Sequence, residues 1–420
     1  MARPFAVASW LLLTGLAQAQ TDAPAASAEA VRYLEAALDA LEANSRVYTT
    51  DWPALRAKAL ATIGAAAART PADTYPAIRT AIATLGDKHG LLLDPAAGKL
   101  FNPARTAKAT GLLVVPPDAF VAQVVPGSPA AAAGLVVGDR IVAVEGIPGF
   151  AELTPLEFAP LFRVGRRPDG SMAPLELRVR TGTAEPRSVP VPLAAFDSYV
   201  PPTGRRLDGG IAYLELPGVI GQKATNYDDA VHELLGQLDD GTLRGCIVDL
   251  RRNTGGTLWP MLAGIGPLAG DGQLGAFVSA SSGADWSYDA ALGVATSGNY
   301  ELAKVEAPHR KRFDLPVAVL TGPLTTGAGE ALVVAFAGRA ATRRFGEGTR
   351  GLPTSNTQKP LADGALLVVT VTVHADRNGT RYDSVIPPDE PVATDWSRCS
   401  TADDPVLVAA CRWLAAASSK

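Results

Sequence analysis

The chain reads as an α/β protein, and three features of its sequence say so. From about Leu207 onward, strand-like and helix-like segments alternate. GGIAYLELPGV has the continuous apolar character of a buried strand, NYDDAVHELLGQL the 3.6-residue period of an amphipathic helix, GCIVDL a second strand and MLAGIGPLAG a second helix. Before that core, Ser27 to Leu85 is Ala-rich and helical in period, with VRYLEAALDALEA, WPALRAKALATIGAAA and YPAIRTAIATL as three packing segments. Composition allows both parts: 420 residues, 47% hydrophobic and 19% charged, can bury more than one core. The net charge of −4 and the absence of a Lys/Arg run exclude nucleic acid as an expected partner.

Residues 1–19 read as an export signal. Arg3 is the positive n-region, Phe5 to Leu16 the apolar stretch, and Ala17-Gln18-Ala19 a small-x-small cleavage site. The stretch is shorter than the ~20 residues a membrane span needs, so the mature chain is expected to be periplasmic or secreted, without a span. In an oxidising compartment, Cys399 and Cys411 around the terminal segment DPVLVAACRWL are expected to form a disulfide. Cys246, inside an apolar strand, reads as a small buried hydrophobe. No metal or cofactor is expected.

Three ordered blocks carry chemistry. GCIVDL runs into RRNTGGTLWPML; PVAVLTG runs into PLTTGAGE and a helix; FGEGTRGLPTSN precedes PLADGALLVVTVTVHADRNGTRYDSVIPPDEPV. Together they resemble the tail-specific, or carboxyl-terminal processing, serine protease family, whose D-L-R-x-N-x-G-G turn is matched by Asp249, Leu250, Arg251, Asn253, Gly255 and Gly256. The resemblance implies a crotonase-like core of repeated ββα units. In the family the nucleophilic serine stands three residues before the glutamate that opens the following helix; counting back from Glu330, that position is Gly327. Glycine offers no nucleophile, and no acyl-enzyme forms on it.

The rest of the catalytic set is checked the same way. Branches with a Ser-Lys pair place lysine where this chain has Leu352, and Lys359 is off register. The branch that lacks the lysine resembles this chain at LGDKHG, which makes His89 the base, with Gly90 in place of a serine, and Asp383 where a glutamate orients the histidine. The oxyanion hole is implied at the backbone amides of Gly255, Gly256 and Ala328. The resemblance therefore implies a pseudoprotease that keeps a binding cleft. Two other readings stay open: an active peptidase in which Thr326 or Thr325 attacks with His89 and Asp383, and a small-ligand carrier. His232 falls on the solvent face of its helix by period.

Residues 105–200 resemble a PDZ domain, carried by VVPGSPAAAAGLVVGDRIVAVEGIP. Gly111, Leu112, Leu113 and Val114 stand where such domains place the loop whose backbone amides bind a peptide or protein C-terminus. The expected organisation is a signal at 1–19, a helical segment at 21–100, the PDZ-like domain at 105–200 and the protease core at 205–420. No oligomeric state is specified.

Overall fold

The computed structural model describes residues 25–45, 50–101, 107–219, 226–280, 283–309 and 314–417. The expected export signal lies outside them. Among the described residues, no helix is long and apolar enough to cross a membrane.

The protein is mixed α/β, as expected. Its centre is a six-stranded sheet in which Ile211–Glu215, Gly245–Asp249, Val317–Thr321 and Thr342–Gly346 run parallel, in spatial sequence. Strand Gly245–Asp249 is buried along its whole length, as a continuous apolar run covered on both faces must be. One face is covered by helices Tyr227–Leu238, Leu258–Ala269 and Ala328–Phe336, the other by the terminal helix Pro405–Ala417. A second, antiparallel sheet packs beyond the first helices, with the long strand Leu366–Asp376 pairing to Leu91–Leu93, Gly272–Val278 and Thr354–Pro360.

The three Ala-rich segments are helices Ala28–Asn44, Trp52–Ala65 and Tyr75–Thr84. Their apolar faces close over Leu92, Leu367 and Val369 of that second sheet. The Asp363 carboxylate, in the turn before Leu366, accepts hydrogen bonds from the Tyr33 and Tyr75 hydroxyls and pins the helices to the sheet.

Between these parts sits a five-stranded antiparallel sheet, Leu112–Val115 to Arg187–Val191, capped by helix Pro155–Val164. It has its own core, built on Leu112, Val121, Ile141, Phe158, Phe162 and Val179. It is joined to the central sheet through Val115, Ala122, Leu324, Trp396 and Cys399, which pack together.

Two expectations fail here. The disulfide is not formed: Cys246, Cys399 and Cys411 are all free. Cys399 belongs to the cluster with Trp396 and Leu324, whereas Cys411 packs beside Leu407 and Ile211 on the terminal helix, so the two thiols serve different cores. His232 is not on a solvent face. It is 2% exposed, with Nε2 at 3.0 Å from the Ala263 carbonyl and Nδ1 accepting from the His309 amide at 2.9 Å.

Candidate active site

Parallel pairing decides where the site lies. Because Gly245–Asp249 and Val317–Thr321 run side by side in the same direction, the turns after them leave the sheet at the same end, the place where open α/β sheets put their ligands. The two turns are bonded to each other. The Thr326 amide donates to the Asn253 carbonyl at 3.0 Å, and the Thr325 hydroxyl donates to the Leu250 carbonyl at 2.9 Å. Asn253 also shapes its own turn, with Oδ1 accepting from the Gly255 amide at 3.0 Å and Nδ2 donating to the Leu216 carbonyl at 2.9 Å. Glycine is required at 329, where a Cβ would stand 2.7 Å from Asn253 Oδ1.

Gly327 is the N-cap of helix Ala328–Phe336 and has φ 54° and ψ −109°, a conformation that side chains adopt only under strain. Glu330, fully buried, holds the turn. Its carboxylate accepts from the Gly327 amide at 2.8 Å, the Thr349 hydroxyl at 2.6 Å, the Gly351 amide at 2.8 Å and the Leu352 amide at 2.9 Å. Burial raises its pKa, while these bonds act in the opposite direction. Leu352, where the resemblance leads us to expect a lysine base in other branches, contributes a backbone amide to the same scaffold.

Residues 210–392 match peptidase family S41, and residues 120–167 match a PDZ domain. The match to S41 falls on the α/β core. It is 28% identical to carboxyl-terminal-processing peptidase 2, chloroplastic, of Arabidopsis thaliana over 364 residues, which are 81% of this chain and 65% of that protein. It is 31% identical to the nisin-resistance protein of Lactococcus lactis subsp. lactis over 188 residues, 45% of this chain and 58% of that one. The matches thus span less than two thirds of either relative. Among solved structures, the photosystem II D1 C-terminal processing protease superposes with a TM-score of 0.59 at 20% identity, over 87% of this chain and 94% of that chain. Mature CPAF superposes with a TM-score of 0.53 at 13% identity, over 92% and 96%. At these identities the superpositions speak to fold.

In this core the turns face a cleft of about 1120 Å³. It is lined by Gly255, Gly256, Gly327, Ala328, Trp259 and Phe277 from the core, by His89, and by Pro160 and Arg163 from the helix of the PDZ domain. Of the three amides expected to form the oxyanion hole, Gly255 is spent on Asn253. Those of Gly256 and Ala328 donate to no acceptor among the described residues.

The expected alternative nucleophiles are engaged elsewhere. Thr325 is fully buried, and its hydroxyl also accepts the Gly322 amide at 3.0 Å. Thr326 lines the cleft, but its hydroxyl donates to the Leu324 carbonyl at 3.0 Å.

The histidine side is arranged differently. His89 follows a turn organised by Asp87, whose carboxylate accepts from the amides of His89, Gly90 and Thr370 and from the Thr370 hydroxyl at 2.6 Å. Both ring nitrogens of His89 are taken: Nδ1 lies 2.7 Å from Thr354 Oγ1 and Nε2 lies 3.0 Å from Asn356 Nδ2. With the amide donating, Nε2 is the acceptor and the ring proton sits on Nδ1. Burial lowers the His89 pKa, opposed by the nearby Asp87 charge, so the neutral ring is the favoured form. Asp383, the expected orienter, contacts neither nitrogen. It is exposed, does not line the cleft and accepts no side-chain hydrogen bond among the described residues, while Tyr382 beside it donates to Asp376 at 3.0 Å. Nor is Gly90 an empty serine position, since a Cβ there would stand 2.4 Å from Asp87 Oδ2.

One residue was not anticipated. His374, from strand Leu366–Asp376, also lines the cleft and is 2% exposed, between Phe277 at 5.6 Å and Trp286 at 5.4 Å. In sequence it is one position of an alternating strand, VTVTVHAD, with no motif around it.

In the PDZ domain, Gly111 has φ 84° and lies against Ser128, which leaves no room for a Cβ. Gly111, Leu112 and Val114 are buried and Leu113 half-buried; the Leu112 amide donates to the Thr110 hydroxyl at 3.1 Å.

Proposed function

We propose that this chain is an exported pseudoprotease: an S41 core that binds peptides or protein C-termini in its cleft without cleaving them. The observation that carries this is Gly327. The turn that presents a nucleophile is kept, in a strained conformation and braced by Glu330, while the position itself has no hydroxyl and the neighbouring threonine hydroxyls are bonded to backbone carbonyls. A base is equally unready, because the Nε2 lone pair of His89 accepts from Asn356. What remains is a binding surface with an apolar wall at Trp259, Phe277 and Leu258.

The helix Pro155–Val164 gives the PDZ domain a share of the cleft, and Arg163 on it has no ion pair or side-chain hydrogen bond among the described residues. Burial lowers its pKa, as expected for a cation held out of water without a partner. A peptide carrying negative charge would relieve that cost. The loop Gly111–Val114 is proposed as a second peptide contact, with the Leu112 amide already engaged.

The test is twofold. The purified chain should not react with a fluorophosphonate probe and should bind apolar peptides without turnover, followed by fluorescence anisotropy and by mass spectrometry of the recovered peptide. Stoichiometric probe labelling within the cleft, or cleaved peptide that vanishes in Thr326→Val, would restore the peptidase reading.

A further inference from the structure

We propose that the unfilled oxyanion hole at Gly327 is a stable anion site that captures the free α-carboxylate of a peptide, with the Gly256 and Ala328 amides as its paired donors. The inference rests on the peptide-binding reading above and names the end of the peptide that binds.

Three observations at the turn converge on it. Gly256 and Ala328 line one cleft, and their backbone N–H groups donate to nothing among the described residues. Ala328 opens a nine-residue helix, whose dipole adds to its amide. At Gly327 itself a Cβ would meet no atom within 4 Å, so the space a nucleophile side chain would fill is open. A hole that meets an oxyanion only in a transition state has one oxygen to hold; with the side chain absent, a carboxylate can place its second oxygen in the vacated volume.

The independent observation is His374. Its Nδ1 is fully buried without a partner, Nε2 has none among the described residues either, and the ring belongs to the cleft lining. An orphaned lone pair costs less than an orphaned N–H, so the ring proton belongs on Nε2, offering a third donor to the cleft. Charge points the same way. Asp94 is paired with Arg166 at 2.9 Å, and of the charged groups left in the described lining, Arg163 and Arg79 outnumber Glu157, whose carboxylate accepts from the Thr154 hydroxyl at 2.7 Å. An anion entering this cleft gains donors and positive potential together.

The test is NMR of the full chain titrated with N-acetyl-trialanine as the free acid and as the C-terminal amide. The acid should bind about tenfold or more tightly than the amide, and should move the Gly256 and Ala328 amide protons downfield with the same saturation curve. Ala328→Pro removes one donor at a position where helices accept proline, and should bring the two affinities to within about twofold. If that variant does not fold, His374→Phe should at least halve the preference. Equal affinities, shifts confined to Gly111–Val114, or acetate alone saturating the same amides at peptide concentrations would each overturn capture of a peptide end here. No binding of either peptide anywhere on the chain would instead sink the peptide-binding reading beneath it.

Discussion

The two halves of the cleft have diverged in different ways. On the nucleophile side the backbone machinery is intact. Two parallel strands deliver two interlocked turns, Glu330 braces the helix N-terminus, and two amides remain free among the described residues; Gly327 carries no side chain, at a position with room for one. On the histidine side the residue is present and its circuitry is replaced, with Thr354 and Asn356 occupying the ring, Asp87 filling the space beside Gly90, and Asp383 turned out to solvent. A backbone scaffold persists because the fold needs it anyway, whereas a side-chain relay is free to be rewired once nothing depends on proton transfer. On the pseudoprotease reading proposed above, the cleft keeps the features that double as architecture.

That contrast can be broken by mutation, starting with the largest effect. Glu330→Ala orphans three amides and a hydroxyl in a buried turn, and should cost about 4 kcal/mol or more in chemical denaturation, at about 1–3 kcal/mol per unsatisfied group. A loss under about 1 kcal/mol would mean the nucleophile turn does not depend on its brace.

Next comes pH. Burial pushes the His374 pKa down from 6.5 to about 3, with the His89 ring adding to the shift. Between those values the unfolded chain binds a proton that the folded chain refuses, so stability falls as pH falls, by up to about 1.4 kcal/mol per unit. Asp228 acts oppositely, its pKa raised to about 6 mainly by burial, so the useful quantity is wild type minus His374→Phe. That difference should grow steadily in favour of the variant from pH 6.5 to 4.5 in parallel denaturant titrations. Parallel curves would show that His374 is solvated in the folded chain.

Gly90→Ser should cost about 2 kcal/mol, because its side chain enters the space of Asp87. Gly327→Ala should cost only about 1 kcal/mol, from backbone strain without a clash. If thermal unfolding ranks these two the other way, the open position has been assigned to the wrong half of the cleft.

Much of the fold was legible because its signals are local. The alternation of apolar strands and amphipathic helices and the Asn253 to Gly256 turn are contained in a few residues each. The histidine side was not legible for the converse reason. Thr354 and Asn356 lie 265 and 267 residues from His89, and nothing near His89 announces them. His232 was misplaced because its burial depends on Ala263 and His309, contributed from other segments. The cysteine spacing suggested a loop of suitable length, and spacing says nothing about which core each thiol joins.

Arg252 has a practical consequence. Its Nε donates to the Ala122 carbonyl of the PDZ sheet at 2.6 Å, its Nη1 lies 2.8 Å from Glu215, and its guanidinium lies over the Trp396 ring at 5.8 Å. It is the residue immediately before Asn253, which sets the amide-bearing turn. Excising the PDZ module would therefore do more than remove a module: it would leave a guanidinium without one of its acceptors and bare Trp396 and Leu324, next to the turn whose shape the cleft relies on. Protein engineered without residues 105–200 should be read as a perturbed core, and any change in its ligand affinity as mechanical as well as subtractive.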